Sequence, residues 1–471
     1  MKTPGDVLRE AQELRWQLPQ NLHDRISESI YGEAARIAEH SIIRNGGSRR
    51  LAWQQKLDRL LTNPWTAFPI MIGVLGAILW ITIVGANVPS AVLSTLLVDK
   101  GHAVLSGWLA AAGAPEWMKG LLVDGMYLAT AWVISVMLPP MAIFFPCFTI
   151  LEDLGYLPRV AFNLDQLFKS AGAHGKQAMS TMMGFGCNAA GVVATRIIDS
   201  PRERLIAIIT NNFALCNGRW PTQILIATVF IGGLVPAQLA GLVSAAAVTG
   251  VALLGVGFTF LAAWALSRTV LKGEVSTFSL ELPPYRPPRL WQTLYTSIID
   301  RTLFVLWRAV VFALPAGAVI WASANLRVGG LSIAEHLIHG MNPAGLALGL
   351  NGVILLAYIV AIPANEIVIP TVLMLTVLAG RMNGVGEGAG VMFELESTDA
   401  VKTVLTQGGW TVLTGVNLML FSLLHNPCST TIYTIYKETG SVRWTAVATL
   451  LPLILGFAVT FAVASVWRLF G

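Results

Sequence analysis

The chain has 471 residues, of which 55% are hydrophobic and 12% charged, and its mean hydropathy is +0.65. Soluble globular domains carry about 25% charged residues, so this chain cannot cover a water-facing surface of its size. The net charge of +5 fits the positive-inside bias of membrane-protein loops rather than a nucleic-acid surface. We therefore expect an all-α polytopic membrane protein that contacts lipid and no nucleic acid.

Residues 1–60 are predicted to form a cytoplasmic amphipathic helical segment, because leucine and isoleucine recur at helical spacing along them. Five basic side chains fall between residues 44 and 59, against the single acid Asp58. This basic run precedes the first predicted span, at roughly 65–86. It places the N-terminus in the cytoplasm, with the chain in the cytoplasmic (inner) membrane.

The remaining predicted spans follow from apolar runs that approach the ~20 residues needed to cross a bilayer. They lie at roughly 121–146, 236–266, 302–324, 344–362, 409–426 and 443–467, and a further span is broken at 215–221. The chain then divides into a cytoplasmic segment (1–60), a first span with a short external segment (61–120), a first repeat (121–270), a cytoplasmic proline-rich and amphipathic linker (271–301) and a second repeat (302–471).

Four apolar segments are interrupted by polar residues, two in each half of the chain. The sequences at these breaks are "GFGCN" (184–188), "LCNGR" (215–219), "PANE" (363–366) and "HNPC" (425–428). Basic residues flank the first break on both sides, which predicts a re-entrant or broken helix lining a cavity. The first span of the first half (121–146) is predicted to run from outside to inside, and that of the second half (302–324) from inside to outside, so the two halves form inverted gate repeats. In total we expect about eight transmembrane helices plus the broken helices.

The breaks carry the candidate ligands, because a polar or ionisable side chain at membrane depth is costly unless it serves a function. Thiolate and imidazole favour borderline or soft transition metals, whereas carboxylate and amide oxygen accept harder ions. The main candidates for a metal path are Cys187, Asn188, Cys216, Asn217, Asn365, Glu366, Asn426 and Cys428. Secondary candidates are His425, the thioethers of Met182 and Met183, and Glu152 and Asp153 as an ion exit.

Structural alternatives exist for these residues. An asparagine at membrane depth also serves as a helix–helix hydrogen bond, and a cysteine as a small buried hydrophobe. A membrane thiol–disulfide enzyme would need two cysteines close enough to pair, and the sequence has no CxxC motif. No P-loop, H-E-x-x-H or G-x-S-x-G motif occurs either. We therefore predict no enzyme activity, no bound cofactor and no nucleotide site in this chain.

Five stretches carry a resemblance to a known family: "PCFTILEDLGYLPRVAFNLDQLF", "GFGCNAAGVVATRIIDSPRERL", "ALCNGRWP", "ELPPYRPP" and "NPCSTTIYTIYKETGSVRW". In this order they resemble the membrane domain of the ferrous-iron transporter B (FeoB) family, from about residue 50 to the C-terminus. The resemblance implies a permease with two inverted gate repeats that imports Fe(II). It also implies that Cys187 and Cys216 are metal-path cysteines, with Glu366 and Cys428 in the second gate.

The sequence departs from that family in three respects. The family's N-terminal GTPase domain and helical spacer are not found here, so we expect either a separate cytoplasmic GTPase that regulates the chain or function without one. The second gate reads Asn365-Glu366 where a lysine–glutamate pair is usual, and alanine follows Asn188 where proline is commoner. Without the lysine beside Glu366 the site is more negative, which extends the candidate substrates to Mn, Zn or Co. The sequence does not determine whether the chain forms a homo-oligomer.

Two other functions remain as alternatives. Related gate repeats occur in nucleoside transporters, so a carrier of nucleosides or another small solute is the nearer rival. A non-transporting membrane scaffold that recruits a GTPase is the rival from another class. The first alternative has no evident use for three thiols at helix breaks, and the second predicts that they are dispensable.

Overall fold

The computed structural model describes residues 22–41, 49–273, 285, 289–380, 382, 391–395 and 397–470. Within these residues the fold is helical, apart from one antiparallel pair of two-residue strands, β1 (Arg327–Val328) and β2 (Leu331–Ser332). The predicted helical class is confirmed. Residues 1–21 and 42–48 of the N-terminal segment, residues 274–284 and 286–288 of the proline-rich linker, and residues 381, 383–390 and 396 lie outside the described residues.

The helices of the first half run up to the proline-rich linker. They are α1 (Leu22–Ser41), α2 (Arg49–Thr62), α3 (Pro64–Ser94), α4 (His102–Ala111), α5 (Glu116–Lys119), α6 (Leu128–Asp153), α7 (Tyr156–Ser170), α8 (Gln177–Gly186), α9 (Asn188–Ala194), α10 (Pro201–Thr210), α11 (Trp220–Ile226) and α12 (Ala237–Arg268).

The helices of the second half follow that linker. They are α13 (Leu290–Thr296), α14 (Phe304–Asn325), α15 (Ile333–Ala347), α16 (Gly352–Val360), α17 (Val368–Gly380), α18 (Thr398–Gln407), α19 (Val412–Leu424), α20 (Ser429–Thr439) and α21 (Val442–Phe470).

Five helical stretches of the described chain are long and apolar enough to cross a membrane. They are Pro64–Ala111, Glu116–Asp153, Gln238–Arg268, Leu290–Asn325 and Val442–Phe470. A sixth span results if α15 and α16 are counted as one, although they are bent by 112° at their junction. The chain is therefore a multi-pass membrane protein with five or six candidate spans.

The first of these stretches differs from the sequence prediction. Residues 87–120 were expected to form a short external segment, yet the helix continues from Pro64 through a π-helical turn (Thr95–Gly101) to Ala111. At 1.5 Å per residue, 48 helical residues are about 70 Å long, more than twice the ~30 Å hydrocarbon core. The apolar character of the segment sustains the helix beyond the predicted end of the span.

The stretch containing α6 is the central element, because 61% of its most apolar window is buried, against 17–33% for the other four. It crosses α14 at Gly125 and Gly317, where a Cβ on Gly317 would overlap the Gly125 backbone. Small residues at such a crossing let two helix backbones approach closely inside a membrane. This packing fixes α6 beside the second half of the chain.

A polar contact ties α2 to the rest of the bundle. The buried Arg159 on α7 donates from Nε to Asp58 Oδ1 on α2 at 3.1 Å. Its guanidinium lies 4.2 Å from the ring centroid of Tyr285, whose hydroxyl donates to the same Asp58 oxygen at 2.7 Å. Tyr285, the described residue of the "ELPPYRPP" motif, therefore joins α2 to α7.

Candidate functional site

The four predicted breaks meet around one small cavity of about 30 Å³. Its walls include seven of the predicted path residues: Cys187, Asn188, Cys216, Asn217, Asn365, Glu366 and Cys428. A water molecule occupies ~30 Å³ of liquid, and a cavity of this kind holds one once about 10–15 Å³ is open to its centre. The space therefore suits a single largely dehydrated ion.

The first and third breaks have nearly the same backbone conformation. Cys187, between α8 and α9, has φ −153° and ψ 121°, and Ala364 has φ −151° and ψ 123°. Each extended residue is followed by a helical turn that begins with asparagine, Asn188 or Asn365. An extended residue between two helices leaves backbone groups without intrahelical partners.

Each of these breaks is bonded to the second break of its own half. In the first half, the Asn217 N–H donates to the Gly186 carbonyl at 3.0 Å, and in the second half the Ser429 N–H donates to the Ile362 carbonyl at 2.8 Å. Cys216 and Cys428 immediately precede the two donors. The two halves therefore present a cysteine at matching positions on the cavity wall.

Asn365 bridges two elements at the cavity. Its Oδ1 lies 3.1 Å from Nε2 of the buried His425, and its Nδ2 donates to the Cys216 sulfur at 3.8 Å. The other His425 nitrogen, Nδ1, lies 3.0 Å from the Ser422 carbonyl. His425 therefore orients Asn365 from behind the cavity wall. The Asn365 amide in turn points at the Cys216 sulfur, where a hydrogen-bond donor would stabilise a thiolate bound to a metal.

Glu366 packs against the backbone of the second break. A Cβ built on Gly218 would lie 2.5 Å from Glu366 Oε1 and 2.7 Å from its carboxyl carbon. Glycine at 218 is therefore required for the carboxylate to occupy its position beside Cys216 and Asn217.

Replacing Gly218 with alanine is expected to displace the Glu366 carboxylate from the cavity and to reduce transport by at least about tenfold, because real Cβ contacts are not found at 2.5 Å. The measurement is ion uptake into proteoliposomes, normalised to the amount of folded protein. Gly257→Ala on α12 is the matched control, since a Cβ there meets nothing within 4 Å. Equal uptake by the two variants would contradict the placement of Glu366.

Asn188 and Cys428 are held by neighbouring polar groups. The Asn188 carbonyl accepts from Asn211 Nδ2 at 2.9 Å, and its side chain contacts Asn212 Oδ1 at 3.3 Å. With its amide rotated, the Asn188 nitrogen donates to the carbonyls of Gly184 and Ala214. Cys428 Sγ lies 3.3 Å from Thr431 Oγ1. Asn188 thus both lines the cavity and closes the broken helix.

Arg219, the last residue of the second break, is 1% exposed. Its guanidinium donates to the carbonyls of Asn212, Leu423, His425 and Asn426. These carbonyls lie where helices end, and no water is available at membrane depth to satisfy them. Arg219 therefore fastens the second break to the fourth and places a positive charge behind the cavity.

The other predicted residues lie outside the small cavity. Asn426 offers its carbonyl to Arg219, and neither Met182 nor Met183 is among the cavity-lining residues. Met183 instead lines a second, wider cavity, together with Glu152. The neighbouring Asp153 accepts a hydrogen bond from Thr293 at 2.6 Å. Of the two acids considered for an exit, only Glu152 faces this wider space.

The wider cavity has a volume of about 370 Å³ and lies one helical turn from the small one. Three helices contribute one residue to each cavity. The small cavity is lined by Met141 on α6, Ala309 on α14 and Thr430 on α20. The wider cavity is lined by the residues four positions away, Phe145, Val305 and Thr434. Residues four apart stack along one helix face, ~5–6 Å from each other. The wider cavity, here called the vestibule, therefore lies about one helical turn from the small cavity along these three helices.

An ion-pair network forms part of the vestibule rim. Glu438, whose side chain is 4% exposed, bonds Arg196 at 2.6 Å and Arg204 at 2.8 Å. Burial alone would raise the pKa of Glu438, but the hydrogen bonds and charges of the two arginines outweigh it and lower that pKa. Glu438 therefore stays ionised between two cations, and its ion pairs join α20 to α10 and to the turn after α9.

The cavity lining mixes several kinds of side chain. The thiols and the carboxylate surround the space, with amide groups between them. Among the described residues, no three His, Cys, Asp or Glu side chains converge in a geometry that would hold a metal ion.

Sequence reasoning missed three contributors to the site. Met137 and Met141 line the small cavity, and Arg219 braces it. The signal for the methionines was the Pro139-Pro140 pair in the middle of an apolar span, which marks an irregular helix.

Comparisons with known proteins agree with this architecture. A family model described as "Gate: Nucleoside recognition" matches residues 134–231, and one described as "Ferrous iron transport protein B C terminus" matches residues 248–300. No solved structure matches the chain.

Curated relatives match over most of the chain. The Fe(2+) transporter FeoB of Staphylococcus aureus (strain COL) is 26% identical over 96% of this chain and 66% of its own length. The Campylobacter jejuni and Synechocystis FeoB proteins are 25% and 29% identical over 86% of this chain, and 64% and 62% of their own lengths. This chain thus spans slightly less than two thirds of these relatives. Together, the two family models and the relatives show that this chain is similar to FeoB-family proteins along most of its length.

Proposed function

We propose that this chain is a permease that imports a divalent transition metal through the small cavity, with Fe(II) as the leading candidate substrate. The observation that carries the proposal is the meeting of three cysteines and one carboxylate from four separate helix breaks around a space for one ion. Thiolate together with carboxylate and amide oxygen suits a borderline divalent metal. The relatives are named as Fe(2+) transporters.

Two inverted gate repeats, 121–270 and 302–471, are part of the proposal. The matching backbone at Cys187 and Ala364 supports it, as do the equivalent hydrogen bonds between the breaks of each half. The shorter apolar helices Trp220–Leu234 and Asn365–Gly380 would raise the six candidate spans to the eight expected. Paired broken helices at a repeat interface are where transporters bind their substrates.

The vestibule is proposed to open to the cytoplasm and to be the ion exit. Its lining carries the basic residues Arg196, Arg308 and Lys437, and basic residues collect on the cytoplasmic side. Glu152 in the same lining would receive the ion after it leaves the thiols. This direction agrees with a cytoplasmic N-terminus and makes the small cavity the narrowest point of the path.

A separate cytoplasmic GTPase is the proposed regulator, inferred from the family resemblance. The described part of α1 exposes Ile26, Ile30 and Ile37, at 46%, 62% and 54% of their surfaces. An apolar helix face of this kind suits a protein partner or the membrane interface.

A nucleoside carrier is the second candidate, because the first matched family model is described as "Nucleoside recognition". The small cavity of about 30 Å³ is far below the ~300 Å³ at the lower end of small-molecule pockets. The vestibule is large enough, but the three thiols lie at the small cavity and would have no role in holding a ribose.

The test is uptake into proteoliposomes that contain this chain alone, with reductant present, comparing Fe(II), Mn(II), Zn(II), Co(II) and radiolabelled uridine. We expect Fe(II) uptake above that of empty liposomes, competition by the other divalent metals, and no uridine uptake. Uridine uptake without metal uptake would establish the nucleoside carrier. Absence of all uptake, with and without an added family GTPase, would favour a scaffold.

A further inference from the structure

The small cavity has a second set of sulfur atoms that the predicted metal path does not include. The only α6 residues among those lining it are Met137 and Met141, which are 8% and 3% exposed. Residues four apart on a helix lie on the same face. One face of the central helix therefore presents two thioethers to the space that the three cysteines surround.

The position of α6 explains why this face reaches the cavity. The Phe144 ring lies against Gly186, where a Cβ would meet Phe144 Cε1 at 2.0 Å, so α6 is in contact with the first break. The methionine pair brackets Pro139 and Pro140, which have no N–H groups to complete the helix. α6 thus forms the wall of the cavity beside the first break.

A methionine inside a bundle is commonly an adaptable filler of apolar gaps. That explanation suits Met374 on α17 and Met419 on α19, which are 1% and 2% exposed and line neither cavity. It suits Met137 and Met141 less well, because the walls of their cavity carry thiols, amides, hydroxyls and a carboxylate as well as small residues such as Ala309 and Pro363. Thioethers beside thiols form a ligand set that selects soft ions such as Cu(I).

We propose that Met137 and Met141 are thioether ligands of the ion in the small cavity and that they extend its range to soft monovalent cations of the Cu(I) and Ag(I) class. This inference rests on the proposed metal-permease function, since it concerns the same cavity. Its consequence is that a soft cation competes with Fe(II) for the path and blocks it, because five sulfur atoms hold such an ion longer than Fe(II).

The test is Ag(I) binding to the purified chain in nanodiscs, measured by competition with a chromophoric chelator, with sulfur coordination counted by X-ray absorption. The variant is Met137→Leu with Met141→Leu, which keeps volume and apolar character. The matched control is Met374→Leu with Met419→Leu, which removes two equally buried thioethers outside the cavity. We expect the cavity variant to bind Ag(I) at least about tenfold more weakly, with a lower sulfur count, and the control to match the wild type.

Because the assay measures binding, its outcome is separate from that of transport. If both double variants keep the wild-type affinity and sulfur count, the methionines are packing residues and the inference is wrong, whatever the Fe(II) uptake. If the cavity variant alone loses affinity and sulfur ligands, the thioether assignment holds even if the chain transports no metal. Thermal unfolding of both variants confirms that a loss of binding is not a loss of fold.

Discussion

Replacing Cys187 with serine is expected to reduce Fe(II) uptake into proteoliposomes by at least about tenfold, the lower end of the loss seen when metal sites are altered. Cys187 is the extended residue between α8 and α9, and its side chain borders the small cavity. Serine keeps the size and the hydrogen-bonding capacity of the residue but removes the soft sulfur ligand. The loss of uptake would therefore report on ligand chemistry rather than on packing.

The same reasoning extends to Cys216 and Cys428, which line the cavity from the second and fourth breaks. The chain supplies its own control, because Cys147 on α6 is a partly buried free cysteine that lines neither cavity. Cys147→Ser is expected to transport at the wild-type rate. If Cys187→Ser transports as well as Cys147→Ser, the thiols are not on the ion path, and the proposed function loses its main support.

A chemical measurement separates a lost ligand from a damaged protein. In the wild type, bound Fe(II) is expected to slow the reaction of the cavity thiols with a small methanethiosulfonate reagent, while the labelling of Cys147 stays unchanged. Protection of Cys216 and Cys428 that disappears in Cys187→Ser would indicate one shared ion. Independent protection of each thiol would contradict a common site.

The breaks could be predicted from the sequence because their signal is local. Glycine, proline, asparagine and cysteine within an apolar run interrupt a helix wherever they occur, and "GFGCN" and "HNPC" were recognised on that basis. Their meeting around one cavity depends on helix packing over more than 200 residues of chain, from Cys187 to Cys428. The inverted repeats predicted that the four breaks lie near one another, but they did not predict which side chains face the small cavity.

The missed residues show where the local signal fails. Met137 lies in an apolar span, where methionine is indistinguishable from lipid-facing or core residues by pattern alone. Arg219 follows "LCN" and has the composition of a loop charge, and only the three-dimensional structure places its guanidinium against the end of α19. In the same way, the number of spans stayed inexact because broken and bent helices such as α15 and α16 do not have the uniform apolar length of a simple crossing.

Arg219 is the residue whose replacement is expected to cost the most stability. Its guanidinium donates to four carbonyls and to Asn212 Oδ1, and the residue is 1% exposed. A methionine at this position would leave several buried carbonyls without donors, at roughly 1–3 kcal/mol each. Arg219→Met is therefore expected to lower the midpoint of thermal unfolding by more than about 5 °C and to abolish uptake.

Arg219→Lys separates the charge of this residue from its geometry. Lysine keeps the positive charge behind the cavity, but its single ammonium cannot reproduce the fixed fork of five donors. We expect partial recovery of stability and low uptake, since the second and fourth breaks are no longer held in register. The control is Arg268→Met at the exposed end of α12, where the guanidinium contacts only the Trp264 ring, 4.8 Å from its centroid, among the described contacts. If Arg219→Met unfolds at the same temperature as this control, the carbonyls at the breaks have other donors, and Arg219 does not brace the site.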